Sequence, residues 1–324
     1  MSSMVLVTGG SGYLGTQLLV ALLRDGREVR ATVRSADAEA GVRAAVRRGG
    51  ADDTGLELVA ADLTSDAGWA AALEGVEAVH HVASPIPSAQ PTDPDELIVP
   101  ARDGTVRVLK AARDAGARRV VLTSSFAAVG YSPKPGRDYS EADWTDPGTP
   151  GLAPYPRSKA IAERAAWDFI ETEGGDMELV VMNPTFIAGP SLVPVLRSSL
   201  AAFKAIIEGT MAALPRQRFG VVDVRDVAEA HIKAMASPAA AGRRYLLLAD
   251  GPTITWLELA RILRDHLGPA GGRVTITEAP GEDPPPLTIH NDRAKRELAW
   301  QPRPVRATIV ETAENLRELG LLEG

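Results

Sequence analysis

Met4, Val5, Leu6 and Val7 form an unbroken apolar run, and a glycine-rich stretch follows directly. Residues 16–24 then carry apolar side chains at helical spacing. The unit recurs along the chain. Apolar runs at 29–33, 56–60, 78–82, 120–122 and 179–182 read as strands, and segments 36–48, 67–73, 98–115 and 154–171 carry a helical period. Strands alternating with helices predict right-handed βαβ units and a mainly parallel sheet covered on both faces. The runs are nearly continuous rather than alternating, as strands buried on both sides require. The expected fold class is α/β, a doubly wound parallel sheet.

After Pro184 the alternation weakens. Pro-rich and Gly-rich stretches appear, notably Gly281-Glu282-Asp283-Pro284-Pro285-Pro286. Residues 221–236 read as a further strand and helix that return to the sheet. The expected division is one domain over 1–183, joined by 221–236, and a smaller, partly discontinuous domain over 184–324.

Composition mostly excludes. The 324 residues are 45% apolar and 24% charged, which suits one large domain or two intimately joined ones. A net charge of −7 gives nucleic acid no electrostatic support as a partner. No run of 18 apolar residues occurs, so no membrane span is expected. The strand pattern begins too early for a secretory leader, so a cytoplasmic location is expected. The chain has no cysteine, which removes disulfides, thiolate metal sites and cysteine nucleophiles. The five histidines (His80, His81, His231, His266, His290) lack metal-ligand spacing, and neighbours on a strand point to opposite faces. No metal is expected.

Candidate chemistry starts at Thr8-Gly9-Gly10-Ser11-Gly12-Tyr13-Leu14-Gly15, which leaves the first strand and opens a helix. Glycines permit a tight turn and a close backbone approach to a pyrophosphate, and the helix N-terminus supplies N–H donors and a favourable dipole. Two registers fit: Gly10-x-Gly12-x-x-Gly15 and Gly9-x-x-Gly12-x-x-Gly15. In this strand–turn–helix setting the motif predicts a Rossmann-type dinucleotide site. The second strand ends at Arg34, with no carboxylate at its tip. An acid there would bond a ribose 2′-hydroxyl, whereas a guanidinium grips a 2′-phosphate, so NADP(H) is expected. Arg43 and Arg47 would add charge if their helix folds back; otherwise they form a solvated face. Asp62 and Leu63 end the third strand, placed to meet the adenine, or Asp62 is a turn or capping aspartate. Val82, Ala83 and Ser84 are small enough to let a cofactor pass close to the backbone.

Tyr155 and Lys159 stand four apart on one helix face, and Pro156 is tolerable because it lies in the first turn. An ammonium near a phenol favours the phenolate, so the Tyr155 pKa is expected to fall from about 10. Such a tyrosine can pass a proton to or from a carbonyl oxygen while hydride moves at carbon. Upstream, residues 120–122 end in Thr123-Ser124-Ser125, where a hydroxyl can bond the substrate oxygen.

These motifs, with Asn183-Pro184-Thr185-Phe186-Ile187-Ala188-Gly189-Pro190, Val222-Asp223-Val224-Arg225-Asp226-Val227-Ala228-Glu229-Ala230-His231 and Lys295-Arg296-Glu297-Leu298-Ala299-Trp300-Gln301-Pro302, resemble the extended short-chain dehydrogenases/reductases of the NAD-dependent epimerase/dehydratase superfamily. Within them the chain is most similar to the branch of dihydroflavonol reductases, cinnamoyl-CoA reductases and microbial aldehyde/ketone reductases. The resemblance implies Ser125, Tyr155 and Lys159 as the catalytic triad, with Lys159 also bonding the nicotinamide ribose. It implies Pro184 and Ile187 near the nicotinamide and Ser199 near the pyrophosphate. Domain 1–183 is then the NADP-binding one, and 184–324 binds substrate.

The expected activity is reduction of an aldehyde or ketone to an alcohol, or the reverse. Alternatives on the same fold are a nucleotide-sugar epimerase or dehydratase, a hydroxysteroid dehydrogenase, and a non-catalytic NADP sensor. Dehydratases of the family carry an acidic pair where Phe126-Ala127 stand, and an intact Ser/Tyr/Lys set is superfluous in a sensor. Residues 191–218 are expected to line the substrate pocket. Trp144, Phe186, Phe203, Met211 and Phe219 would make it apolar, or else belong to the core. Residues 98–115 and 154–171 could form a dimer face or simply cover the sheet, leaving monomer and homodimer open.

Overall fold

The computed structural model describes residues 4–85, 93–196 and 199–323. Its first half follows the predicted alternation: β1 (Met4–Thr8), α1 (Tyr13–Arg24), β2 (Val29–Val33), α2 (Glu39–Arg48), β3 (Leu56–Ala60), α3 (Trp69–Leu73), β4 (Val76–His81), α4 (Asp95–Asp114) and β5 (Arg119–Thr123). A two-residue β6 (Asp138–Tyr139), α5 (Pro154–Glu173) and β7 (Glu178–Pro184) come next. The rest comprises β8 (Phe186–Ala188), α6 (Ser199–Ile207), β9 (Arg218–Phe219), β10 (Val221–Asp223), α7 (Val224–Ala236), β11 (Arg244–Leu247), β12 (Ile254–Thr255), α8 (Trp256–Leu267), β13 (Thr288–Ile289), α9 (Asp292–Leu298) and α10 (Val305–Glu318).

Seven parallel strands form the main sheet in the order β11-β7-β5-β4-β1-β2-β3. This is the doubly wound, Rossmann-type arrangement. Alternate residues of each strand enter different cores, because side chains change face at every step. Val5, Val7, Val121, Val180 and Met182 pack with α1, α2 and α7, whereas Leu6, Val120, Leu122, Leu179 and Val181 pack with α3, α4 and α5. Burial on both faces explains why the strands read as continuous apolar runs. The third core joins α6, α8 and α10 away from the sheet, around Phe203, Leu259 and Ile309.

The expected return of 221–236 needs correction. Helix α7 does cover the sheet, with Val224, Val227 and Ala228 in its core. Strand β10, however, pairs with β8 in a separate two-stranded sheet. The place beside β7 is taken by β11, with Arg244 opposite Val181 and Leu247 opposite Pro184. Handedness gives the reason: a chain leaving β7 crosses back through α7 before it can enter as a parallel neighbour, so the joining strand follows the helix. Helix α1 also starts three residues earlier than expected, at Tyr13, with Gly12 as its N-cap.

Candidate active site

The strand order reverses direction between β1 and β4, and in such sheets ligands sit outside the carboxyl ends of the strands at that point. A cleft of about 1470 Å³ opens there and runs toward the third core. Every residue expected to hold cofactor or act in catalysis lines it, from Gly9 to Ser199.

The glycine turn is fixed by contact rather than by composition. Gly9 has φ +70°, and its N–H donates to Thr32 Oγ1 at 3.0 Å. Gly12 N–H donates back to the Gly9 carbonyl at 2.9 Å. A Cβ on Gly15 would lie 2.2 Å from that carbonyl oxygen. The register Gly9-x-x-Gly12-x-x-Gly15 therefore makes the turn, while Gly10 is a packing glycine whose Cβ would meet Ala31 at 2.7 Å. The helix N-terminus and bare backbone of this cradle fit a pyrophosphate. Tyr13 and Gln17, just inside α1, donate to the carbonyls of Gly189 and Pro190 at 2.6 and 2.8 Å, tying the turn to the segment beyond the sheet.

Arg34 is exposed at the end of β2 and lines the cleft. Arg43 and Arg47 turn away: Arg43 donates to the Asp53 and Leu56 carbonyls, and Arg47 pairs with Asp53 at 2.7 Å. Asp62 lines the cleft and is also a turn aspartate, with Oδ1 accepting from Thr64 N–H at 2.8 Å and from the Thr64 hydroxyl at 2.5 Å. Those bonds, then the nearby charges of Arg34 and Arg107, hold its carboxyl below its usual range. Thr8 Oγ1 accepts from the Val82 and Ala83 N–H groups at 3.1 and 3.0 Å, which sets the path of 82–84 past the turn.

Helix α5 begins at Pro154, and its two early prolines sit where helical N–H groups lack partners anyway. This start points Tyr155 and Lys159 at the end of β5. Ser125 caps a short 3₁₀ turn, its Oγ accepting from Ala127 N–H at 3.1 Å, and its hydroxyl lies close enough to the Tyr155 phenol to act on its pKa. Lys159 Nζ donates to Ser84 Oγ at 3.1 Å and lies 6.0 Å from the Tyr155 ring centre. Burial brings the Lys159 ammonium down to about 8, with Glu163 acting the other way.

The expected fall of the Tyr155 pKa is not what this arrangement produces. The cleft walls crowd the phenol and raise its pKa, and the Ser125 hydroxyl opposes the rise. The residue still keeps 37% of its surface exposed. The ammonium, turned to Ser84, does not outweigh desolvation.

Of the aromatics weighed for the substrate end, Phe186 and Phe219 line the cleft, joined by Phe126, Tyr131 and Trp256. Phe203 and Met211 belong to the third core, and Trp144 is covered by Arg164 and Arg244. From 191–218, Ser199, Arg216, Gln217 and Arg218 reach the cleft; residues 197 and 198 lie outside the described set. Reading the sequence passed over Glu163, although its place four residues after Lys159 could have signalled it. No group of three metal-ligating side chains occurs among the described residues. No helix among them is long and apolar enough to cross a membrane.

Comparison with known proteins identifies the family. The family model described as "NAD dependent epimerase/dehydratase family" matches residues 5–247. A cinnamoyl-CoA reductase of Medicago truncatula is 36% identical over 98% of this chain and 97% of its own length. An anthocyanidin reductase of Vitis vinifera is 33% identical over 79% of each chain. The crystal structure of Gre2 from Candida albicans in complex with NADPH superposes with a TM-score of 0.84 at 26% identity, covering 98% of this chain and 99% of that one. The chain belongs to the NAD-dependent epimerase/dehydratase family, in the extended short-chain dehydrogenase/reductase branch that holds the plant cinnamoyl-CoA and anthocyanidin reductases.

Proposed function

We propose that this protein is an NADP(H)-dependent carbonyl reductase in which Ser125, Tyr155 and Lys159 carry out the proton chemistry. One observation carries the reading: the three side chains converge in the same cleft as the Gly9–Gly12–Gly15 turn. The relatives named as reductases and the NADPH-bound neighbour support the reaction class and the cofactor. The pyrophosphate would lie on the glycine turn and the 2′-phosphate on Arg34, with Asp62 and Leu63 toward the adenine and Pro184 and Ile187 toward the nicotinamide. Bound NADPH supplies the hydride. The lobe built on the seven-stranded sheet, with α7 and β11, would hold the cofactor, and the third core would support the substrate end.

The residues divide the remaining work. Ser125, whose hydroxyl lies beside the phenol in the same cleft, holds the substrate oxygen. Tyr155 stays protonated through neutral pH, because burial raises its pKa, and so carries a proton ready for a carbonyl oxygen. Lys159, charged below about pH 8, stabilises the phenolate left behind. Phe126, Tyr131, Phe186, Phe219 and Trp256 give the far end of the cleft an aromatic lining, which favours an apolar or aromatic carbonyl compound. Phe126 packs edge-on against Tyr131 and Tyr139 in the position where a dehydratase would need an acid, which disfavours that alternative.

The test is NADPH consumption across aliphatic and aromatic aldehydes, ketones and ketoesters. Tyr155→Phe should lower kcat at least about a hundredfold while NADPH still binds. A Tyr155→Phe protein with full reductase activity would remove the proposed acid.

A further inference from the structure

Glu163 follows Lys159 by one turn of α5, and its side chain is fully buried. A buried carboxylate is tolerated only when it is paired and hydrogen-bonded. Three elements supply the partners. The Ser124 hydroxyl, just past β5, donates to Oε2 at 2.5 Å. Asn183 Nδ2, on β7, donates to the same oxygen at 2.7 Å. Arg244 Nε, on β11, donates to Oε1 at 2.6 Å. These strands are consecutive in the sheet, so one carboxylate pins α5 across three strand ends.

The partners are themselves held. Arg244 Nη1 donates to the carbonyls of Glu141 and Asp143 at 2.9 and 2.8 Å, and its guanidinium lies 3.7 Å over the Trp144 ring. Asn183 Nδ2 also donates to the Ser125 carbonyl at 3.1 Å. The network thus grips the Ser124-Ser125 step twice, once by a side chain and once by a carbonyl.

We propose that Glu163 is the positioning residue of the reduction site: it fixes the Ser124-Ser125 backbone through Ser124 and Asn183, and serves as counter-charge to the Lys159 ammonium. This rests on the roles given above to Ser125, Tyr155 and Lys159. Residues four apart on a helix are neighbours, and Lys159, Glu163 and Ser124 border one cavity of about 20 Å³. Little bulk solvent fits in that cavity to screen the two charges, while the other side of Lys159 borders the main cleft. The other groups facing Lys159 bring no competing negative charge: the Ser84 hydroxyl, His81 from β4, kept neutral by burial at about 3, Thr105 from α4, and Tyr155 on the same helix. Arg244 faces the opposite oxygen of Glu163. Glu163 is the group that opposes the effect of burial on Lys159.

Glu163→Gln keeps the shape and one oxygen but removes the charge. With six lysines in the chain, the side-chain carbon and nitrogen NMR signals of Lys159 can be followed through pH in the protein without cofactor. The Lys159 midpoint should fall by about one pH unit in Glu163→Gln. The high-pH limb of kcat/KM should move with it. Ser124→Ala should leave the Lys159 midpoint in place and lower kcat roughly tenfold to a hundredfold through loss of alignment. Should Glu163→Gln fail to fold because Arg244 is left unpaired, the double variant E163Q/R244Q carries the same titration. An unmoved Lys159 midpoint overturns the counter-charge, and an unchanged kcat in Ser124→Ala overturns the positioning. An active Tyr155→Phe would instead sink the underlying reading, which the cofactor-free titration does not depend on.

Discussion

At the scale of single residues, the proposed recognition of the 2′-phosphate rests on Arg34, exposed at the end of β2. A guanidinium at the tip of β2 would act on a 2′-phosphate through charge-assisted bonds, each worth about 1.5–3 kcal/mol. Arg34→Ala should therefore weaken NADPH binding roughly tenfold to a hundredfold and leave NADH nearly unaffected. Equal losses for both cofactors, read by fluorescence titration, would move 2′-phosphate recognition elsewhere. Arg43 and Arg47 are poor substitutes, because Asp53 already engages them. The Tyr155–Lys159 pair was legible because helical spacing alone puts i and i+4 side by side. The direction of the Tyr155 shift was not, since it depends on how tightly distant walls close round the phenol and where the ammonium turns.

At the scale of elements, the glycine turn is the strongest constraint. Gly9 bends the backbone to positive φ, and Gly15 lets the first turn of α1 pass under its carbonyl. Gly15→Ala should open the turn, costing about 1–3 kcal/mol of stability and weakening NADPH binding more than a hundredfold. Urea unfolding and NADPH titration check both; wild-type affinity in this variant would show that the cradle lies elsewhere. Most elements of the first half could be read from the sequence, because the strands inside the sheet are buried on both faces and each helix on one. The seventh strand could not. Tyr245-Leu246-Leu247 is apolar enough, but its place beside β7 depends on the crossover through α7, and nothing local distinguishes it from β10.

At the scale of the whole molecule, three buried imidazoles bind two sheet strands to each other and the sheet to its covering helix α7. His81 Nδ1 meets Thr8 Oγ1 at 2.8 Å, His231 Nε2 meets Thr123 Oγ1 at 2.9 Å, and His80 packs edge-on against His231 at 5.5 Å. Burial lowers His80 and His81 to about 3 and His231 well below its ordinary value. The unfolded chain, with imidazoles near 6.5, binds the extra protons between those limits. Stability should then be complete above about pH 6.5 and fall as pH drops toward 3, with each histidine adding about 1.4 kcal/mol per pH unit once protonated in the unfolded chain. Urea midpoints measured from pH 7.5 to 5 test this. A flat profile would mean the rings are not held neutral, and His80→Met should make the slope shallower by one proton.

The sequence by itself determined the parallel sheet and the glycine-rich turn, and it offered Tyr155 and Lys159 as a pair on one helix face, with Ser125 added by family resemblance. The sheet, the turn and the pair are periodic or short-range features, fixed by spacing along one element or across one turn. Tertiary structure alone decided which glycine register makes the turn, which strand closes the sheet, whether Tyr155 shifts up or down, and that Ser124, Asn183 and Arg244 meet on Glu163. Those outcomes depend on burial and on groups up to 81 positions apart, whose meeting only the packing of α5 on three neighbouring strands brings about.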